Sequence, residues 1–465
     1  MTSPTAGRRA VPTAALLLAL STAALAEGLP VESWKTREGA EAGLVAQPTL
    51  HLEPGAHADA PRIRIDPSKT HQRLTGLGNS LEHSTCHNLS LLPPDRRRAV
   101  LESLFDAEKG LGMSLARICI GTPDFTASPW YTYDDLPAGE TDPGMRRFSI
   151  GKDRTYVLPM LQEALKVNPG LKFFASPWSP PGWMKTGGRI EGGAIDPRHF
   201  AAFAEYLARF VEAYRAEGIP IHALTLQNEP EYAPDTYPTC LWTAEQQRDF
   251  VRDHLGPKFR DRGITTRIWV FDHNFEHPEF PTTILSDPKA AAFVDGTGFH
   301  HYVGTPDAMS TLHGRFPSKD IHFTEGSTFG VAGSAQIATY LNNWACSYTA
   351  WVTMIDKNRK PNPGPHPCSL TTVVLDPDTR TVSYRPDYHL YGHFMKYLRP
   401  GAVRLGVQAD VGVPVHTVFR NLDGSVVLVA ANPGDTSRPF TVDWKGSAFA
   451  TRLEAKTVAT FRWKP

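Results

Sequence analysis

From about residue 72 to 395, short apolar runs alternate with amphipathic stretches, and each run closes on polar or aromatic residues. Leu74 to Glu82, Leu115 to Gly121, Lys172 to Trp178, Ala223 to Asn228, Arg267 to Asp272, Gly296 to Tyr302, Ile321 to Glu325 and Tyr348 to Ile355 read as strands. Between them, Asp196-Pro197 is a helix N-cap with proline at the first helical position. Phe200, Phe203, Leu207, Phe210, Val211 and Tyr214 then share one face until Gly218, and a second helix is predicted after Thr243, around Gln246 to Leu255. Strands alternating with helices predict a parallel sheet. Eight repeats predict a closed (β/α)8 barrel, an α/β fold whose chemistry sits where the strands end.

After about residue 400 the pattern changes to period two. Val415 to Arg420 and Val426 to Ala431 flank Asp423-Gly424, a hairpin turn, and further strands are expected near Phe440 to Trp444 and Val458 to Trp463. Four strands make only half a sandwich, so residues 28–70, with the alternating Arg62-Ile63-Arg64-Ile65, are expected to complete it. The expected organisation is a catalytic barrel over 72–395 and an all-β sandwich built from both chain ends, 28–70 and 396–465. Residues 1–26 read as a signal peptide: Arg8 and Arg9, an apolar run from Val11 to Leu25, and small residues Ala24 and Ala26 at a cleavage position. The run is shorter than a membrane span and no later segment approaches one, so a secreted or periplasmic protein is expected.

Composition narrows the function. With 41% hydrophobic and 10% aromatic residues the chain is a folded globular protein. Lys plus Arg and Asp plus Glu balance at 48 each, so there is no long-range field to gather phosphates, and nucleic acid is not expected as a partner. The cysteines Cys86, Cys119, Cys240, Cys346 and Cys368 show no metal or redox spacing. A Cys346–Cys368 disulfide is conceivable in an exported chain, although buried thiols are the commoner outcome. The oligomeric state is left open.

Two apolar strands end in carboxylates: Thr225-Leu226-Gln227-Asn228-Glu229-Pro230 on the fourth, and Phe323-Thr324-Glu325-Gly326-Ser327 on the seventh. Two carboxylates across a barrel mouth are what glycosidic cleavage needs, one to protonate the leaving oxygen and one to attack the anomeric carbon or activate water. Trp178 and Trp183 stand in a Pro/Gly loop after the third strand, and Trp351 ends the eighth. Indoles stack on the C–H faces of sugars. Trp130, Tyr131 and Tyr133 either line an aglycone site or anchor their own loop.

The ordered runs Ala175-Ser-Pro-Trp178, Asn228-Glu-Pro230, Tyr237-Pro238 with Cys240-Leu241, Gln247-Arg-Asp-Phe250, Leu255-Gly-Pro257, His300 with Tyr302, and Glu325 resemble glycoside hydrolase family 30, the glucosylceramidase family. The resemblance implies a retaining β-glycosidase with no cofactor or metal and a carbohydrate or glycoconjugate substrate. It makes Glu229 the acid/base and Glu325 the nucleophile. Asn228 is implied as the amide reading the 2-hydroxyl, Tyr302 as the tyrosine near the nucleophile, and Arg117, on the second strand, as the basic residue whose positive charge keeps Glu325 ionised. Trp178 and Trp351 are implied as pocket aromatics, and Tyr237, Asn274 and His300 join the substrate-binding set. Glu229 is expected to need a raised pKa.

Departures from the family concern the sugar. Where glucosylceramidases end strand one in a Thr-Asp pair, this chain has Glu82; His301 replaces a tryptophan, Asn274 a glutamine and Ser327 a cysteine. Glu82 is expected to reach the substrate and favour a xylose, fucose or galactose unit over glucose. Endo-acting β-1,6-glucanases and xylanases of the same family are the alternative. A non-catalytic carbohydrate-binding barrel would not need both carboxylates, and a metal hydrolase would need ligand spacings that the sequence lacks.

Overall fold

The barrel strands are almost wholly apolar because a parallel sheet is covered on both faces. The structure is a computed structural model that describes residues 1–2, 28–39, 43–55, 59–367 and 371–465. Most of the predicted leader and Cys368 lie outside the described residues. Three strands come first: β1 (Leu29–Arg37), β2 (Val45–Pro54) and β3 (Arg62–Arg73). The barrel follows with β4 (Gly76–Ser80), β5 (Leu115–Ile120), β6 (Lys172–Pro177), β7 (Ile221–Thr225), β8 (Arg267–Asn274), β9 (Gly296–His300), β10 (Asp320–Glu325) and β11 (Ala345–Ala350). Every neighbouring pair is parallel, and β11 returns to β4 to close the ring.

All eight predicted barrel strands are present. The eighth differs in extent: the chain leaves the barrel at Trp351, and Met354–Asp356 becomes β12 of a small sheet with β13 (Val373–Asp376) and β14 (Thr381–Tyr384). The helix after Asp196 starts with a 3-10 turn at Pro197–His199 and runs over Phe200–Ala216, with its predicted apolar face buried. Thr243 makes a full capping box with Gln246, and that helix passes through a π turn at Val251–Leu255. Tyr131, Tyr133 and Tyr214 all donate their hydroxyls to the buried Asp153, so the first two tyrosines anchor their own loop.

The β-domain continues with β15 (Val403–Ala409), β16 (Val415–Arg420), β17 (Val426–Asn432), β18 (Arg438–Trp444), β19 (Ser447–Leu453) and β20 (Thr457–Trp463). Together with β1–β3 they form one sheet in the order β1-β2-β19-β18-β3-β15-β16-β17-β20, and β1 pairs with β20 to close it. The expected sandwich is thus joined at its edges, thinly where β2 meets β19 and β15 meets β16. Its core includes Val31, Ile63, Leu428, Phe440 and Phe461. At the junction with the barrel, buried His393 places Nδ1 2.9 Å from Thr460 Oγ1 and Nε2 2.9 Å from Thr36 Oγ1. Cys86, Cys119, Cys240 and Cys346 are buried free thiols.

Candidate active site

Both strand-end carboxylates stand where the sheet stops. Beyond β7 the chain is held by the Asn228 N–H donating to the Pro177 carbonyl (2.8 Å) and the Glu229 N–H to the Asp272 carbonyl (3.0 Å). Glu229 has a φ of +50°, a left-handed conformation that a non-glycine residue adopts at a cost of roughly 1–3 kcal/mol. Glu325 ends β10 beside Gly326, where a Cβ would lie 2.5 Å from the Phe323 ring and 2.8 Å from His301. Only glycine fits there. Ligand atoms of Glu229, His300 and Glu325 lie within 4.8 Å of one another, which puts the two carboxylates at the close spacing of a retaining pair and not at the ~6.5–9.5 Å of an inverting one.

Arg117, in the middle of β5 and fully buried, ties the floor of the site together. Its guanidinium donates to Glu325 Oε2, to Asn228 Oδ1 (2.8 Å) and to Asp272 Oδ2 (2.8 Å). The indoles of Trp178 and Trp351, stacked at 5.0 Å, lie over it at 4.9 and 5.4 Å. The Tyr302 hydroxyl donates to the other Glu325 oxygen (2.8 Å), and its N–H donates to Asn274 Oδ1 (3.0 Å). Every oxygen of Glu325 is therefore oriented before substrate arrives.

His300 bridges two acids: Nδ1 is 3.1 Å from Glu229 Oε1 and Nε2 is 3.0 Å from Asp272 Oδ1. Burial disfavours the imidazolium, but the charges of Glu325, Asp272 and Glu229 prevail and raise its pKa to about 9. The effect on Glu229 is the reverse of the sequence expectation. Burial pushes that carboxyl up, yet the His300 hydrogen bond and charge outweigh it, and the net shift is down. Asp272 is held well below the usual carboxylate range by Arg117 and His300 despite its burial. Asp272 was not singled out in the sequence, although a lone acid ending an apolar strand is the same signal that marked Glu229.

Trp178, Asn228, Tyr237, Asn274, Tyr302 and Trp351 line, with Glu229 and Glu325, a cavity of about 590 Å³. Arg117 and His300 lie directly beneath it. Glu82 does not join them. It is fully buried as the N-cap of the helix His83–Ser90, its carboxylate accepting from the Thr85 N–H (2.8 Å), the Thr85 hydroxyl (2.6 Å) and the Ser80 hydroxyl (2.6 Å). The position after strand one caps a helix, so its extra methylene reads nothing of the sugar. The acid that does face the pair is Asp124, in the Gly/Pro loop after β5. It lines the cavity, is buried with an unpartnered Oδ1, and is pushed well above the normal range by burial and by Glu325 and Glu229. Trp183 instead donates its indole N–H to Asp134, and His301 sits 2.8 Å from the Tyr340 hydroxyl.

Sequence reasoning also passed over the outer wall: Tyr232, Val303 and His366, and Glu231, which His277 Nδ1 approaches at 3.0 Å and so links the loops after β7 and β8. Glu229, His300 and Glu325 are close enough to share a cation, but each already has a protein partner, and Arg117 supplies the positive charge.

A (β/α)8 barrel with paired carboxylates on its fourth and seventh strands, at retaining spacing beneath stacked indoles, defines a retaining glycoside hydrolase. The chain belongs to glycoside hydrolase family 30: residues 74–398 match the family's TIM-barrel domain and 401–461 its β-sandwich domain. It is 32% identical over 415 residues to an endo-1,6-β-D-glucanase of Neurospora crassa, covering 85% of this chain and 84% of that one. It is 28% identical to the lysosomal acid glucosylceramidase of Mus musculus, over 86% and 83% of the two chains. A solved endo-β1,6-glucanase superposes with a TM-score of 0.83 at 29% identity, over 94% of this chain and 100% of that one.

Proposed function

We propose that the protein is an exported endo-β-1,6-glucanase acting by double displacement, with Glu325 as nucleophile and Glu229 as acid/base. The observation that carries the endo reading is the cleft. At about 590 Å³ it exceeds a single hexose, and beyond Glu229 it continues along Tyr232, Tyr237 and His366, with the His366 ring 6.2 Å from that of Tyr232 and 5.5 Å from that of Tyr237. That wall offers stacking surface to the sugar on the leaving side. Two endo-1,6-β-D-glucanases among the relatives, from Neurospora crassa and Trichoderma harzianum, support the same substrate.

In the first step Glu325 Oε attacks the anomeric carbon while the bond to the leaving C6 oxygen breaks, and Glu229 gives that oxygen a proton. A primary alkoxide is a poor leaving group, so the proton is essential. The Glu229–His300 pair holds one proton between Oε1 and Nδ1 over a wide pH range. The ion pair and the neutral acid beside neutral imidazole are tautomers of one charge state, and His300 thereby keeps Glu229 supplied. In the second step Glu229 takes a proton from water, which attacks the anomeric carbon and releases Glu325. Asn228, held by Arg117, faces the 2-hydroxyl, and Asp124 offers its free oxygen to another hydroxyl of the same sugar.

Digestion of a linear β-1,6-glucan with size analysis of early products tests this. A mixture of oligosaccharides is expected from the start. Release of glucose alone, or turnover confined to glucosylceramide, overturns it. Export is checked by N-terminal sequencing of the mature protein, which is expected to begin near Glu27.

A further inference from the structure

At the barrel end opposite the carboxylates, the strand starts converge on a second cavity of about 560 Å³. Successive strands bring Lys172 of β6, His222 of β7 and Arg267 of β8 to its rim. Its lining holds four Lys or Arg side chains and a single acid, Asp320, an excess of three positive charges in a chain whose net charge is zero. These cations are bonded chiefly to neutral groups. Lys172 donates to the Thr75 carbonyl (3.1 Å), Arg73 to that of Gly401 (2.9 Å), and Lys319 to those of Ala291 and Val294 (2.7 Å each). Arg267 alone faces an acid, in a loose 3.7 Å ion pair with Asp320 in which both side chains are half-exposed.

A second observation is independent of that count. His322, one residue beyond Ile321 of the cavity lining, is fully buried on β10, stacked 3.7 Å from Trp269, with Nδ1 2.9 Å from Ser347 Oγ. Its Nε2, on the far side of the ring, has no partner, and neither has buried His222 Nε2. β9 starts with Gly296, where a Cβ would lie 2.7 Å from the Asp320 carbonyl oxygen and 3.0 Å from His322 Nε2, so the bare backbone packs against that ring. Burial lowers the pKa of both histidines, and the charges of Lys172 and Arg267 lower it further, as an unneutralised positive field does.

We propose that this floor binds a phosphate dianion, free or as a small phosphomonoester, between Lys172, His222 and Arg267. A lysine point charge, an arginine fork and a histidine that gains its proton when an anion arrives match the oxygens and charge of phosphate. The site lies at the end of the barrel away from the hydrolytic groups, so its occupancy acts on stability and not on the reaction.

Calorimetric titration of the full chain with inorganic phosphate and with glycerol 1-phosphate, at constant ionic strength set by chloride, tests the proposal. Melting curves and the histidine C2 proton resonances are followed in parallel. Saturable binding, a raised Tm and an upward shift of the His222 titration are expected. Lys172→Gln with Arg267→Gln is expected to weaken binding roughly tenfold or more, the loss of two charge-assisted contacts, with unchanged glucan hydrolysis. His222→Gln is expected to weaken it less. Tighter binding of the free anion identifies inorganic phosphate as the ligand, and tighter binding of the ester identifies a phosphorylated metabolite. Absence of saturable binding, or equal binding by the double variant, overturns the site.

Discussion

His300 stands between the carboxylates of Glu229 and Asp272, and the proposed mechanism has it share a proton with Glu229. In the wild type the basic limb of kcat/KM is expected to report loss of the shared proton, near the His300 value of about 9. In His300→Asn the hydrogen bond and charge that lower the Glu229 carboxyl are gone, so its own pKa rises, but the pair can no longer hold a proton up to pH 9. The basic limb is therefore expected to move to lower pH; an unmoved limb in the pH profile would refute the shared proton. Glu229→Gln is expected to cut hydrolysis of a β-1,6-glucan by roughly 10²–10⁴-fold, with a much smaller loss on a nitrophenyl glycoside, whose leaving group needs no proton. Equal losses on both substrates would remove Glu229 from the acid role. The carboxylate pair was legible because each member ends an apolar run. Asp272 carried the same mark unread, and the sign of the Glu229 shift was not legible, because it depends on a histidine that lies 71 residues away in sequence.

Among elements, the eight barrel strands were legible from apolar runs ended by polar residues, and the helix Phe200–Ala216 from its cap and its one buried face. β15 and β19 were not: Gly406 interrupts the first, and Thr451 and Arg452 give the second a polar edge, so neither alternates cleanly. Glu82 failed for a related reason. A carboxylate after a strand is read as a site residue, yet the next element is a helix whose free N–H groups take it as a cap. Burial raises the Glu82 carboxyl to about 7 from an ordinary 4.5. The stability this acid contributes is fully present below pH 4.5 and is lost as the pH climbs through about 7, by roughly 3 kcal/mol for a shift of this size. Glu82→Gln keeps the capping oxygen without the charge. Its Tm is expected to fall less between pH 4.5 and 7 than that of the wild type, and parallel Tm–pH curves would contradict the assignment.

Over the whole molecule, the two folding units are fastened by His393, held between Thr460 of β20 and Thr36 of β1. Burial lowers its pKa to about 3. The unfolded chain takes up a proton at that histidine below pH 6.5 while the folded one does not, so stability is expected to decline as the pH falls from 6.5 toward 3. In His393→Gln the acid decline is expected to be shallower, and melting at a series of pH values measures it. That one sheet would draw strands from both chain ends was legible, because four strands cannot close a core alone. Its full closure was not, since the contact between β1 and β20 joins residues more than four hundred positions apart. That seam also sets a timetable. β1 borders β20, so a strand made early waits for one made more than four hundred residues later. Until then β1 has only β2 beside it, and its other edge is open and prone to stick to other chains, while the barrel has all it needs to form. The β-domain can therefore close its ring only once β20 has been made, long after the barrel it sits on is complete.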